Sequence, residues 1–143
     1  MNDLDYMKIA LKEAEKAAEC NEVPVGAIIV CRNRIIARTH NQTELLNDVT
    51  AHAEMLAITA ASNYLSGKYL DECTMYVSLE PCSMCAGAIG WSQLGKLVFG
   101  AVDLKKGFQS KCKDILHPKT QVVSGILQEE SETLIKTFFS KKR

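Results

Sequence analysis

Short apolar segments alternate with longer amphipathic segments along this chain, and this alternation restricts the fold more than any other feature. Residues 25–31 (VGAIIVC) are almost wholly apolar and rich in β-branched side chains, which predicts a strand covered on both faces. A polar turn and the apolar residues 35–37 follow, so the two segments predict a hairpin. Further strands are predicted at residues 74–79, 96–102 and 121–127.

The segments around these strands have helical periodicity. In the first of them apolar residues recur at three- and four-residue steps, and Asp3 can cap its first turn. The predicted helices are residues 3–20, 51–63, 81–91, 110–116 and 128–142. The 51–63 helix is apolar on nearly all sides, which predicts a central position. Strands alternating with helices predict an α/β fold, a three-layer α/β/α sandwich with a central mixed sheet of about five strands.

Length and cysteine content restrict the class of protein. The 143 residues fit a single domain spanning 1–143, and they contain no apolar run near the roughly 20 residues of a membrane span. The N-terminal segment carries charges throughout and does not look like a secretory signal. We therefore expect a cytoplasmic protein without membrane partners, in which the six cysteines serve metal binding or catalysis and not disulfides.

Charge is divided unevenly although the net charge is zero. Residues 1–100 hold 8 basic and 12 acidic residues, whereas residues 101–143 hold 9 basic and 5 acidic ones. The most basic segment is 104–120, with Lys105, Lys106, Lys111, Lys113 and Lys119 against Asp114 alone. Such a segment is either an ordinary solvated surface or a phosphate-contacting patch, and charge alone does not choose between them.

Two short motifs carry the candidate chemistry. Cys82 and Cys85 are three residues apart near a predicted helix start, so both thiols can reach one ion. His52 begins another predicted helix and can supply a third ligand. Three protein ligands leave one tetrahedral position for water, which is typical of a catalytic zinc.

Glu54 follows His52 by two residues, so on an ideal helix the two side chains point about 200° apart. They address one site only if that site lies beyond the helix N-terminus, where Thr50 is a suitable N-cap. Glu54 is better interpreted as a proton carrier beside the bound water than as a metal ligand. Taken alone, a Cys-x-x-Cys pair is equally a redox pair or half of a zinc finger. The combined H-x-E…P-C-x-x-C signature of zinc deaminases favours the catalytic metal.

The sequence resembles bacterial tRNA-specific adenosine deaminases over nearly its whole length. The resemblance is strongest at residues 79–88 (LEPCSMCAGA) and weakens at 107–112. Other matching segments are 22–27 (EVPVGA), 50–55 (TAHAEM), 99–103 (FGAVD), 115–118 (ILHP) and 125–127 (GIL). It implies a cytidine deaminase-like fold, one Zn²⁺ per chain, a homodimer, and a tRNA anticodon stem-loop as the substrate.

The same resemblance implies the roles of individual residues. His52, Cys82 and Cys85 would be the zinc ligands and Glu54 the catalytic proton shuttle. The substrate-binding residues would be Asn41, which contacts the target nucleoside, Ala53, whose backbone orients the base, and Asp103 at the mouth of the site. The implied reaction converts the wobble adenosine to inosine through attack of a zinc-activated hydroxide at adenine C6.

Two alternatives remain at this stage. A deaminase of a free base or nucleoside, such as guanine or cytosine, would share the whole zinc site and would need no RNA. A non-catalytic module with structural zinc would need a fourth protein ligand, for which Cys73 and Cys112 are the candidates.

Overall fold

Within residues 1–142, which the computed structural model describes, five strands form one mixed sheet in the order β2-β1-β3-β4-β5. Arg143, which directly follows the helix predicted at 128–142, lies outside the described residues. The strands are β1 (Gly26–Cys31), β2 (Arg34–His40), β3 (Cys73–Leu79), β4 (Lys96–Ala101) and β5 (Gln121–Ser124). β1 pairs antiparallel with both β2 and β3, whereas β3, β4 and β5 run parallel to one another. The predicted mixed sheet is confirmed.

Helices cover both faces of this sheet. The helices are α1 (Asp3–Glu19), α2 (Ala53–Leu65), α3 (Ser83–Ser92), α4 (Phe108–Lys111) and α5 (Gln128–Ser140). In β1, Ala27 and Ile29 pack in the core beneath α2 and α3, whereas Ile28 and Val30 pack beneath α1. Because successive side chains of a strand point to opposite faces, every residue of β1 is buried. The three-layer sandwich is thus confirmed, and residues 25–31 are apolar throughout for this reason.

The hairpin of β1 and β2 is also confirmed, but β2 is longer than predicted. Arg32 and Asn33 form the turn with φ values of 51° and 62°. β2 continues to His40, although the sequence pattern indicated a strand only at 35–37. It lies at the edge of the sheet, where one side faces solvent and polar residues are tolerated, so its second half lacks an apolar signature.

The predicted helix caps were wrong. Asn2, not Asp3, caps α1: its side chain accepts a hydrogen bond from the Asp5 N–H, and the Asp5 side chain accepts one from the Asn2 N–H. His52 occupies the N-cap position of α2 that Thr50 was expected to fill. The Thr50 hydroxyl instead donates to Asp48 Oδ1 at 2.7 Å.

Two helices also differ from their predictions. The short helix predicted at 110–116 lies at Phe108–Lys111, because its N-terminal end is held against the segment that precedes α3. The helix predicted to be central, α2, buries Ala53, Glu54, Ala57 and Ala61 but leaves its other side half-exposed. Its apolar residues therefore exceed what the chain alone can cover. No helix among the described residues is long and apolar enough to cross a membrane.

Candidate active site

The N-terminal ends of α2 and α3 bring the three predicted metal ligands together. His52 is the N-cap residue of α2, Cys82 is the N-cap residue of α3, and Cys85 lies in the first turn of α3. Neither N-cap side chain bonds to its own helix, so both are available to a ligand. The strand β3 ends at Leu79, three residues before Cys82, and thereby fixes where α3 begins.

The geometry of this group fits a tetrahedral zinc. His52 Nδ1 lies 3.7 Å from Cys82 Sγ and 3.4 Å from Cys85 Sγ, and the three ligand atoms lie within 4.8 Å of one another. Bond lengths of about 2.05 Å to nitrogen and about 2.3 Å to sulfur place such atoms about 3.6 Å apart around a tetrahedral ion. The donor set and its spacing therefore suit Zn²⁺.

The fourth protein ligand that a structural zinc would need is not part of this group in the described residues. Cys73 lies at the start of β3, opposite Cys31 on β1, whereas Cys82 follows the other end of β3. The Cys112 thiol donates to Ser83 Oγ at 3.4 Å. Neither cysteine belongs to the group of His52, Cys82 and Cys85, so one tetrahedral position is left open.

Electrostatics at the site already favour one thiolate. A hydrogen bond from the Cys85 thiol lowers the pKa of Cys82 to about 3, and the same contact raises the pKa of Cys85 above its ordinary range. The hydrogen bond with Cys82 raises the pKa of His52. Since a metal is bound by the thiolate form of cysteine, Cys82 is prepared to act as a ligand.

Glu54 lies beside the group on the wall of a cavity of about 940 Å³. The carboxyl group is buried, and burial raises its pKa to about 7. His52 and Cys82 line the same cavity. The expected arrangement, in which His52 and Glu54 address one space beyond the start of α2, is therefore the one observed.

Two of the three predicted substrate residues also line this cavity. Asn41 is buried in the cavity wall, and Asp103 lies half-buried near the mouth. Ala53 is not among the described lining residues: its side chain is fully buried, and its carbonyl accepts a hydrogen bond from Thr39 Oγ1 at 2.7 Å. The backbone N–H of Ala53, in the first turn of α2, is therefore the group through which the predicted contact with a base would be made.

The structure divides the basic segment 104–120. Lys105 and Lys106 line the cavity, whereas Lys111, Lys113 and Lys119 do not. The helix α5 adds a further part of the wall that the sequence reasoning missed, namely Glu132, Ile135, Lys136 and Phe139. Their spacing of three, four and seven residues along α5 is the signal of one helix face, and could have identified them.

Two buried carboxylates near the cavity were also missed. Glu22 accepts hydrogen bonds from the backbone N–H groups of Glu44 and Leu45, at 3.1 and 2.8 Å. Glu80 accepts from those of Asp103 and Gln109, each at 2.9 Å. Their partners lie more than twenty residues away in sequence, so no local pattern indicates either contact.

Comparison with known proteins agrees with the site. The family model of the MafB19-like deaminases matches residues 1–143. A tRNA-specific adenosine deaminase of Bacillus subtilis is 46% identical over 143 residues, covering 96% of this chain and 89% of the relative. A solved structure from a study of A-to-I editing by tRNA:A34 deaminases at the wobble position superposes with a TM-score of 0.85 at 41% identity, over 91% of this chain and 98% of the other.

A guanine deaminase from Bacillus subtilis is a more distant match. Its structure has a TM-score of 0.69 and 38% identity, but the similarity covers 71% of this chain and 66% of that one. The similarity to the tRNA deaminases extends over far more of both chains.

Proposed function

Because the chain belongs to the family of tRNA-specific adenosine deaminases, within the MafB19-like deaminases, we propose that it hydrolyses adenosine 34, the wobble adenosine of a tRNA anticodon, to inosine and ammonia. The observation that carries this proposal is Glu54, a buried carboxyl group that shares the wall of one cavity with His52 and Cys82, two members of the His52–Cys82–Cys85 group. That cavity has lysines at its mouth, which suits a target nucleoside that arrives attached to phosphates.

The residues that would hold the metal are His52, Cys82 and Cys85. Bound there, Zn²⁺ acts as a Lewis acid that makes a water molecule acidic enough to give up a proton near neutral pH. Metal analysis tests the assignment: a Cys82→Ala/Cys85→Ala variant should lose stoichiometric zinc, and a Cys20→Ala/Cys112→Ala variant should keep it. Full zinc occupancy in the first variant would contradict these ligands.

Glu54 moves the proton. Its carboxylate takes a proton from the attacking water and delivers it to adenine N1, which makes C6 more electrophilic. Glu54 then takes the proton of the new hydroxyl group on C6 and delivers it to the amine as the C6–N bond breaks, so that C6 becomes a carbonyl and water and adenosine give inosine and ammonia. Asn41 in the cavity wall holds the target nucleoside, the Ala53 N–H orients its base, and Asp103 contacts the nucleotide at the mouth.

The target base must leave its stack to enter the cavity. This costs least in a single-stranded loop such as the anticodon loop. Lys105 and Lys106 at the mouth would then contact phosphates of the neighbouring nucleotides, positioning the loop without reading its sequence. A cytoplasmic location follows from this substrate.

A second copy of the chain is the expected partner. Support comes from apolar side chains that the chain leaves uncovered on one face of the sandwich: Trp91 and Met84 on α3 are exposed, and Met55, Leu56 and Ile58 on α2 are half-exposed. α2 and α3 pack side by side, so these residues form one side of the molecule. A homodimer through this side would remove them from water.

The decisive experiment compares substrates. Purified protein is incubated with an anticodon stem-loop that carries adenosine at the wobble position, and in parallel with free adenosine, guanine and cytosine. Inosine and ammonia should form from the stem-loop only. A stem-loop with the adenosine moved one position along the loop is the matched control and should remain unchanged. Turnover of guanine or cytosine without turnover of RNA would favour the free-base deaminase instead.

A further inference from the structure

Glu80 is a buried carboxylate that the reaction does not use. Its two oxygens are each occupied by one backbone amide: Asp103 N–H donates to Oε1 and Gln109 N–H donates to Oε2, both at 2.9 Å. The Glu80 backbone N–H donates in turn to the Ala101 carbonyl at 2.8 Å. Glu80 also lines the cavity, but the hydrogen bonds of both its oxygens go to backbone N–H groups that follow β4.

The loop to which Glu80 is hydrogen-bonded forms part of the mouth of the cavity. It runs from residue 102 to residue 107, between β4 and α4, and Asp103, Leu104, Lys105 and Lys106 all line the cavity. Within the loop, Asp103 Oδ1 accepts hydrogen bonds from the backbone N–H groups of Lys105 and Lys106, each at 3.1 Å. The position of both lysines therefore depends on Asp103, and the backbone of Asp103 depends on Glu80.

The far end of this loop is tied to the metal-binding segment. Gly107 forms an isolated antiparallel bridge with Cys82, and the Phe108 N–H donates to the Pro81 carbonyl at 3.0 Å. A methyl group on Gly107 would collide with the Glu80 carboxylate, which explains why glycine stands there. Glu80, adjacent to Pro81 and Cys82 in sequence, thus joins the lysine-bearing loop to the segment that supplies two metal ligands.

We propose that Glu80 is a positioning residue that fixes the 102–107 loop relative to the His52–Cys82–Cys85 group and so sets the affinity for RNA. This inference rests on the proposed function, because the loop matters only if the substrate extends beyond the cavity. Glu80 touches no reacting atom. Its effect is on the fraction of molecules in which Asp103, Lys105 and Lys106 stand where the anticodon loop needs them.

Glu80→Gln tests the proposal because it keeps the shape of the side chain but turns one acceptor into a donor. The NH₂ group would face a backbone N–H, so one of the two hydrogen bonds to the loop is removed. If a tenth of the molecules then keep the loop in place, the apparent Kd for RNA rises about tenfold. We expect a stem-loop Kd at least tenfold higher. Single-turnover deamination at saturating RNA should stay within about threefold, since bound RNA selects the ordered loop.

The matched control is Glu13→Gln, which changes an equally buried, hydrogen-bonded carboxylate on α1 that does not line the cavity. It should lower thermal stability but leave the stem-loop Kd unchanged, which separates positioning from a general loss of structure. Zinc content should equal that of the parent in both variants. A stem-loop Kd for Glu80→Gln within twofold of the parent value would overturn the proposal.

Amide hydrogen exchange, measured without RNA, reads the loop directly. Exchange at residues 103–109 should be faster in Glu80→Gln than in the parent, and should be unaltered in Glu13→Gln. Unaltered exchange at 103–109 in Glu80→Gln would also refute the inference. If the parent fails to deaminate the stem-loop, the proposed function fails, whereas this measurement still decides whether Glu80 orders the loop.

If Glu80→Gln does not fold, Gly107→Ala supplies the second variant. It leaves the carboxylate intact, but the added methyl group would collide with the Glu80 carboxylate and with the Asp103 carbonyl, so the contact between Glu80 and the loop has to shift. The same rise in stem-loop Kd and the same faster exchange are expected. Parental values for both measurements would count against the proposal.

Discussion

His52 and Glu54 lie in one cavity wall, although side chains two positions apart on an ideal helix point in nearly opposite directions. The structure resolves this because His52 is outside the helix: as the N-cap residue it has extended backbone, with φ −72° and ψ 152°. Glu54, in the first turn, is buried on the side of α2 that faces the core. A residue pair that regular geometry would separate thus meets at the helix end.

The role proposed for Glu54 predicts a selective loss of chemistry in Glu54→Gln. The amide keeps the size of the carboxyl group but cannot move a proton. Single-turnover deamination of the stem-loop should therefore fall by about 10²–10⁴-fold. Zinc content and stem-loop Kd should remain near parental values, because other residues provide those contacts. Near-parental deamination by this variant would refute the mechanism even if the zinc ligands are correct.

At the scale of the elements, α1 is held to the sheet by two acidic residues, Asp3 at its first position and Glu13 in its second half. Asp3 accepts hydrogen bonds from Tyr76 on β3 at 2.7 Å and from Lys96 on β4 at 3.0 Å. Glu13 contacts Lys16 on α1 itself and Arg38 on β2, at 2.8 and 3.2 Å. The expected cap Asp3 thus serves a long-range contact, and Asn2 caps the helix in its place.

The Glu13 contact predicts a pH-dependent contribution to stability. Burial alone would raise the pKa of Glu13, but the hydrogen bonds and positive charge of Lys16, with further hydrogen bonds from His40 and Arg38, hold it below the ordinary value of 4.5. A pKa lowered by folding stabilises the folded state above pH 4.5, and this stabilisation is lost as pH falls through the folded-state pKa. Glu13→Gln should therefore cost about 1–3 kcal/mol near neutral pH.

Urea unfolding at pH 7 and at pH 4 or below checks this prediction. The difference in unfolding free energy between parent and Glu13→Gln should shrink at the lower pH. Glu15→Gln, an exposed residue of the same helix, should show little difference at either pH. A difference between parent and Glu13→Gln that is the same at both pH values would mean that the charge of Glu13 is not what stabilises α1.

The lysines of the basic segment 104–120 also fall into two sets with different expected roles, those that line the cavity and those that do not. Lys105→Gln/Lys106→Gln should weaken stem-loop binding and flatten its dependence on salt, by about one unit of slope for each phosphate that a lysine no longer neutralises. Lys113→Gln/Lys119→Gln removes the same charge outside the cavity and should leave the slope unchanged. Titration at several salt concentrations measures the slopes. Equal effects of the two double variants would mean that all of these lysines act only as general surface charge.

For the whole molecule, the uncovered side of α2 and α3 is the main departure from what the sequence pattern predicted. Trp91 is 87% exposed. If that side is the dimer interface, Trp91→Glu should produce monomers, because a charge would be buried there without a partner. The stability of the monomer itself should change by less than about 0.5 kcal/mol, since Trp91 packs on little within the chain.

Sedimentation at several protein concentrations measures this effect. Leu4→Glu, which changes an exposed apolar residue of α1 on the other face of the sheet, is the control and should remain dimeric. Dimers of Trp91→Glu with parental affinity would exclude this side of the molecule as the interface.

The sequence by itself determined the layers, the strand and helix order and the hairpin, because these follow from local periodicity, from turn residues and from the need to bury β1 on both faces. It also indicated, through the deaminase signature, the group that the structure brings together, His52, Cys82 and Cys85. Their functional roles, and those of Glu54, Asn41, Ala53 and Asp103, remain predictions.

Tertiary structure alone decided which residue serves each contact. Asp3 had the right chemistry to cap α1, but Tyr76 and Lys96, 73 and 93 residues away, offer it partners that the free segment cannot have. Glu80 likewise acquires its role only when β4 and α4 bring Asp103 and Gln109 to it. A local pattern reports the energy of a segment by itself. Which of several distant groups a side chain bonds to is decided only in the folded chain, where those groups come within hydrogen-bond distance.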